Sequence, residues 1–482
     1  MASKPMSSLL AAGAAAVGLA LWIRRKAQEN AARRAALARR GAEAYGLSSQ
    51  KLSEMAEDFD RRYIRSGRLR GAVVAVMRGG EVVAVWELGS FTKQTVFKLY
   101  SITKVFTAIA GLQVCEEHKI SLDTPISTLV PEWPDKLNLE DEKGRLVPVE
   151  EPLLLRHCFT HTGGFSDTMR GAHPTCLWRP VERRRWAAAA SQKPADLREM
   201  MAWEGQEPLL CRPGQHFNYL GVGVNLVARF VEEKSKKSLA EYMAQSVLQP
   251  AGMEHSGFIL DEALAGECVP VDCSLAGIPT LASIQPTAWA ALKLRCRGLL
   301  ATLRGAFRVE LIPAGAGVIE PLKLWDKSLK VFHADAGLVA TGKDVIRWLQ
   351  LFTGKAKAYS SFVLTALATP VTPELEAPFA LDAPKSTRLF PVHGDSVPRR
   401  CRPFNCHPGQ RYSLGACVIA EPAKSGLPDR AAGSWHWMGF GSTYFFVNPK
   451  EELAACFLSQ CVSHQSYPIL DELVGAVHSA LI

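Results

Sequence analysis

Strand-like runs stand at both ends of this sequence, with helical patterns between them, and that arrangement restricts the fold more than any other feature. Near the start, GAVVAVM (71–77) and EVVAVWEL (81–88) are β-rich and joined by Arg78-Gly79-Gly80, which reads as a hairpin. Near the end come YSLGACVIA (412–420), SWHWMGF (434–440), TYFFVNP (443–449) and ELAACFLSQ (452–460). Between them, Ser101 to Glu117 carries Val105, Ile109 and Leu112 at helical spacing. Residues 140–260 read mainly as helices broken by Gly/Pro loops, and a last helix is expected from about 468 to 482. The pattern predicts an α/β (α+β) fold: an antiparallel sheet built from both chain ends and flanked by helices, plus a mainly helical subdomain. A stretch at about 262–332, rich in Ala, Leu and Pro and without a period, reads as an insertion. There are no internal repeats.

The charge is concentrated at one end. The 482 residues carry a formal net charge of +9, of which 1–46 hold eight basic side chains against Glu29 and Glu43, leaving +3 for the rest. The folded part has no basic stripe, so no nucleic-acid partner is expected. Leu9 to Ile23 is an apolar run ending at Arg24-Arg25-Lys26. More positive charge follows the run than precedes it, unlike a cleaved signal peptide. The bias favours a signal anchor with the bulk of the chain cytosolic. The Arg-rich, acid-poor continuation to Arg40 also fits a mitochondrial presequence. We therefore expect a membrane anchor or targeting segment at 1–26, a basic helical linker at 27–58 and one domain from 59 to 482. The twelve cysteines show no C-x-x-C spacing, and pairs such as Cys268/Cys273, Cys401/Cys406 and Cys456/Cys461 match no common zinc knuckle. Free, mostly buried thiols in a reducing compartment are the expectation.

Several catalytic signatures are absent. There is no G-x-S-x-G and no H-E-x-x-H. His157 and His161 are four apart, but no third ligand converges with them, so a structural pair is favoured over zinc. Gly337 to Lys343 imitates a phosphate loop, yet Asp344 stands where a Ser or Thr must hold magnesium. That segment reads instead as a loop closing into a helix. What remains is S-x-x-K, in which Ser and Lys share a helix face and a neutral Lys takes the Ser proton. Burial and neighbouring cations would hold such a Lys neutral. The pattern occurs three times, at Ser48/Lys51, Ser90/Lys93 and Ser101/Lys104, and only Ser101 opens a long apolar helix. There its backbone N–H points outward as an oxyanion donor.

The surroundings of Ser101, FKLYSITKVFTAIAGLQVCEEHKISLDTPISTLVPEWP (97–134), resemble the serine β-lactamase-like family. That family includes class C β-lactamases, D-alanyl carboxypeptidases, family VIII carboxylesterases and mitochondrial β-lactamase-like proteins. Further segments agree in order: LLLRHCFTHTGGF (153–165), PGQHFNYLGVGVNLVARFVEE (213–233), VLQPAGM (247–253), HADAGLVATGKD (333–344) and WMGFGSTYFFVNP (437–449). The resemblance covers about 60–260 and 333–482. It implies Ser101 as acylated nucleophile, Lys104 as proton acceptor and Tyr219 as proton relay. It also implies Trp437 and Gly439 in the third motif, and backbone N–H groups of Ser101 and Phe440 as oxyanion hole. Tyr219 as a core tyrosine and Trp437 as sheet packing are the structural alternatives.

Two departures bear on substrate. The family's Y-x-N reads Tyr219-Leu220-Gly221, so its Asn amide is missing, and Trp437 replaces the Lys with which β-lactamases bind a carboxylate. Gly163 also replaces the Ser of H-T-S-G-L. The missing Asn at Gly221 and the Trp at 437 weaken a β-lactam or D-peptide reading and favour a neutral acyl ester, cleaved or transferred through a Ser101 acyl-enzyme. The alternatives are an amide, peptide or β-lactam hydrolase, and a lapsed or self-assembling scaffold. No metal or organic cofactor is implied. The oligomeric state is left open, and the expected partners are a small acyl ester or peptide-like substrate and, through the N-terminal segment, a membrane.

Overall fold

A computed structural model describes residues 41–482 apart from 141–144, 166–193, 210, 216, 259–267, 270, 275–310, 313–333, 356–357, 373–407 and 463–466. It begins with helix α1 (Ser49–Phe59), followed by strands β1 (Gly71–Arg78), β2 (Glu81–Gly89) and β3 (Val96–Lys98). Helices α2 (Thr103–His118) and α3 (Gly221–Ser235) come next, then β4 (Ser256–Gly257), β5 (Val339–Thr341) and α4 (Gly342–Gln350). The chain ends with β6 (Gln410–Tyr412), β7 (Cys417–Ile419), β8 (Trp435–Gly439), β9 (Thr443–Asn448), β10 (Leu453–Leu458) and helix α5 (Ile469–Ser479).

Seven strands form one sheet in the order β6-β7-β8-β9-β10-β1-β2. Both chain ends therefore supply it, and the seam is the antiparallel pairing of β1 with β10, from Val73 opposite Leu458 to Arg78 opposite Leu453. Gly71 to Met77 are all buried, because β1 has a strand on each side and helices on each face. β2, at the edge, alternates between exposed and partly buried positions. Along β1 the side chains divide with a period of two. Val73, Ala75 and Met77 join the core under α2, α3 and α4, whereas Val74 and Val76 join the core under α1 and α5. α2 is buried nearly all round, and Phe106 stacks on Trp348 of α4 at 4.5 Å.

Some elements differ from expectation. α1 falls within the stretch assigned to a linker, yet it buries Leu52, Met55, Ala56 and Phe59, with the Phe59 ring 5.4 Å from that of Phe457. Its apolar stripe needs the sheet face, so these residues belong to the folded unit. Ser48 caps this helix, its hydroxyl accepting the Lys51 N–H at 3.3 Å, which accounts for the first S-x-x-K pair. The region expected to be mainly helical also contains a small hairpin, Leu137–Glu140 with Leu146–Val149. Most of 262–332 lies outside the described residues. So does the apolar run Leu9–Ile23; among the described residues no helix is long and apolar enough to cross a membrane. The false phosphate loop is strand β5 running into α4: Thr341 caps the helix and accepts the Asp344 N–H at 3.1 Å. The Asp344 carboxylate accepts from His255 N at 2.7 Å and the Ser256 hydroxyl at 2.8 Å, fixing β4 rather than a nucleotide.

Candidate active site

The spacing predicts that Ser101 opens the long helix; it sits instead in a 3-10 turn, Tyr100–Ile102, that feeds α2. The reason is Tyr100, whose φ of +47° is left-handed and cannot continue an α-helix backwards. Such a conformation costs on the order of 1–3 kcal/mol, so the surroundings must impose it. They do so on both flanks. Leu99 donates its N–H to Leu338 O at 2.9 Å, and its carbonyl accepts from the Thr443 hydroxyl at 3.4 Å. The Gln460 amide grips the preceding residue twice, accepting from Lys98 N at 3.2 Å and donating to Lys98 O at 3.1 Å. β8 closes in from the other side: a Cβ on Gly439 would stand 2.2 Å from Leu99 O. Only a glycine lets the strand approach the nucleophile turn so closely. The next residue, Phe440, lays its ring 6.1 Å from that of Tyr100, and both are partly exposed.

One turn on, Lys104 is buried, 5% exposed, while Ser101 keeps partial access to solvent. Lys104 Nζ lies 3.1 Å from Ser101 Oγ and donates to the Asp335 carbonyl at 2.9 Å. The segment holding Asp335 is laid along α2 by two further bonds. Thr107 donates its hydroxyl to Ala334 O at 2.6 Å, and Thr103 Oγ1 accepts the Leu338 N–H at 3.1 Å. The Asp335 carboxylate, itself 4% exposed, stands 3.6 Å from Nζ, and the Tyr219 ring lies 4.8 Å from it. A carbonyl, a carboxylate and a π-face all favour the charged form of the amine. The nearby His161 adds no positive charge. Burial, and then Lys104 itself, push its imidazole down to about 3, against a hydrogen bond with the Leu220 backbone.

Tyr219 stands just before α3, its ring 4.6 Å from His161 and 5.3 Å from Trp437. The structure thus brings Tyr219 from a distant part of the chain to the amine of the Ser101–Lys104 pair. Trp437 is 1% exposed and packs on Tyr219 and on Tyr412, at 5.2 Å, so its side chain serves the wall of the site. Gly221, where the family has Asn, is the first residue of α3. Asn218 does not replace it: its amide donates to Phe165 O at 3.1 Å and its N–H to His161 O at 2.7 Å. Asn225 is wholly buried within α3. Gly163 has a packing reason, because the Phe165 ring lies 2.1 Å from where a Cβ would stand.

His157 and His161 do not share a helix face. His157 lies in the short helix Leu155–Phe159 and accepts the Leu154 N–H at 3.2 Å, while His161 follows the helix at φ +56°. Among the described residues no group of ligands for a metal forms. Inward of Lys104 a cavity of about 10 Å³, room for one water, is lined by Thr107, Cys158, His161 and Tyr412. Ser90 and Lys93, the third S-x-x-K pair, are both exposed. Sequence reasoning passes over Asp335, Tyr412 and Gln460, and takes His161 only as half of a structural pair with His157. For Asp335 a signal is present, an acidic residue in the A-D-A-G-L form of a glycine-rich motif.

Residues 50–478 match the family model described as Beta-lactamase, and the chain belongs to that family. It is 28% identical over 229 residues to "Esterase EstB" of Burkholderia gladioli, covering 45% of this chain and 55% of that protein. It is 31% identical over 210 residues to "Lovastatin esterase" of Penicillium rubens, covering 40% of this chain and 50% of that one. The matched stretches thus span about half the length of these two relatives. Among solved structures it resembles EstCE1, described as "a hydrolase with promiscuous acyltransferase activity", with a TM-score of 0.63, 18% identity, and coverage of 89% of this chain and 99% of that one. It also resembles the LovD6 mutant of simvastatin synthase from Aspergillus terreus at a TM-score of 0.62 and 16% identity, with coverage of 88% of this chain and 94% of that one. The shared fold is the helix-flanked antiparallel sheet described above.

Proposed function

We propose that the protein is a serine hydrolase or acyltransferase that takes the acyl group of a neutral carboxylic ester onto Ser101. The observation that carries this reading is the 3.1 Å contact between Lys104 Nζ and Ser101 Oγ at the partly exposed end of a buried helix. In its amine form Lys104 accepts the hydroxyl proton as Oγ bonds to the acyl carbon. The negative charge that forms on the carbonyl oxygen is met by the backbone N–H groups of Ser101 and Phe440, on the two segments that Gly439 allows to touch. Tyr219, with its ring against Lys104, passes the proton to the departing alkoxide oxygen. Water or a second alcohol then attacks the acyl-enzyme by the reverse route.

An ester is favoured over an acidic amide because the wall facing the site is Trp437 rather than a cation, and because no amide stands at Gly221. The esterase and acyltransferase names among the relatives lean the same way. The test is labelling with a fluorophosphonate probe followed by intact mass. Wild-type protein gains one adduct and Ser101→Ala gains none, while short p-nitrophenyl esters turn over faster than nitrocefin. A folded wild-type protein that takes no label refutes the reading, and faster nitrocefin turnover would move it to amide hydrolysis.

A further inference from the structure

Lys104 faces an anion that the expected chemistry does not require. The groups set around its amine come from several elements. Ser101 and Lys104 belong to the nucleophile turn and α2, Tyr219 precedes α3, and Asp335 lies on the segment along α2. His161 and Tyr412 stand in the wall behind, their rings 5.3 Å apart, together with the buried Cys158 thiol. Among these described groups Asp335 is the one carboxylic acid: burial holds the His161 imidazole neutral and the Cys158 thiol protonated. Its carboxylate is buried and 3.6 Å from Nζ, too far for a good hydrogen bond but near enough for the two charges to act strongly on each other. The main-chain carbonyl of the same residue, at 2.9 Å, already fixes where the amine sits. The carboxylate is therefore not needed to place Lys104. What it changes is the proton.

Resting on the reading of Ser101 as nucleophile, we propose that Asp335 is a positioning residue whose carboxylate holds a proton on Lys104 and so sets the lower pH limit of acylation. With three N–H bonds the ammonium donates to Ser101 Oγ and cannot take its proton. Acylation waits until one of those protons has left for solvent. The amine then receives the Ser101 proton as the Oγ–acyl bond forms, and that proton leaves with the alcohol as the ester C–O bond breaks. Asp335 stays ionised throughout and neither gains nor loses an atom.

The experiment follows the rate of fluorophosphonate labelling against pH in wild type and in Asp335→Asn, which keeps the shape and the main-chain carbonyl but not the charge. Removing an anion this close should move the acid limb down by about one to three pH units. At pH values below both limbs the variant then labels faster than wild type, about tenfold for every pH unit that separates the two limbs, with the plateau rate little changed. A purely structural role does not speed the reaction at low pH. An unmoved limb overturns the proposal, and so does a loss of labelling at every pH, which would make Asp335 a proton carrier. Wild type alone supplies a second check: its rate must still be rising above about pH 7, and a plateau reached by about pH 6 refutes the proposal even should Asp335→Asn fail to fold. No labelling of wild type at any pH would instead refute the Ser101 reading.

Discussion

Replacing Gly439 by Ala tests whether the contact between β8 and the nucleophile turn is what makes the site. The added Cβ would lie 2.2 Å from Leu99 O and 2.2 Å from Thr443 Oγ1. A carbon and an oxygen that do not bond need more than about 3 Å, so one segment must retreat by about an ångström, consistent with the crowding that overpacked cores suffer. Neither can retreat alone. Leu99 is tied to Leu338 and to Thr443, and Gly439 is paired with Thr443 in the sheet. Overpacking of this kind costs about 1–3 kcal/mol of stability. The larger effect falls on catalysis, because Ser101 follows Leu99 by two residues and Phe440 follows Gly439 by one. Separating their N–H groups by about an ångström should lower the acylation rate roughly a hundredfold or more. The assay is the fluorophosphonate labelling rate, with urea unfolding of the same samples to remove the stability effect. Labelling at the wild-type rate by a normally folded Gly439→Ala would refute the idea that close approach of these two segments builds the site.

Gly475→Ala provides the opposite case. It lies inside α5 with only Leu427 near its missing side chain, at 4.0 Å, so the substitution should raise stability by about 1 kcal/mol in urea unfolding without changing labelling. Acid should destabilise the fold through His161, whose imidazole is held at about 3 against an ordinary 6.5. Because the folded state refuses a proton that the unfolded chain accepts, this stability is complete above about pH 6.5 and is lost progressively as pH falls towards 3. In His161→Phe, which keeps a ring beside Tyr219, the drop in unfolding free energy between about pH 6 and pH 4 should be smaller than in wild type by roughly 2 kcal/mol, and an unchanged pH dependence would contradict the assignment.

Whatever depends on local spacing is legible in the sequence. The β-rich runs of GAVVAVM and EVVAVWEL, the helical spacing after Ser101 and the ordered motifs around Tyr219 and Gly439 all reflect neighbours along the chain. The runs point to the sheet from both ends and the S-x-x-K spacing brings Ser101 and Lys104 forward, whereas Tyr219 enters only through the resemblance to the β-lactamase-like family. The small hairpin at 137–149 is not legible, because its strands are only four residues each and the second is largely exposed and contains Pro148. α1 reads as part of a linker because its apolar stripe is diluted by Lys51, Glu54, Glu57 and Asp58, and only the sheet face reveals what that stripe is for. The charges around Lys104 are hidden for a different reason. No periodicity reports which carboxylate a distant segment will bring to a buried amine, and Asp335 arrives from beyond the 262–332 stretch through hydrogen bonds to Thr103 and Thr107.

The seam between β1 and β10 has a consequence for how the molecule comes into being. β1 is an inner strand of the sheet, yet one of its two neighbours leaves the ribosome only about 375 residues later, as the pairing of Arg78 with Leu453 shows. Until then the young hairpin must carry a naked apolar edge, and the turn holding Ser101 lacks Gln460, whose amide grips Lys98 just before it. Closing so long a loop is slow, and an edge left open for that time invites mispairing with another chain. Nascent chains stalled before Leu453 should therefore depend on chaperones and carry an unformed catalytic turn, however complete their helical half already is.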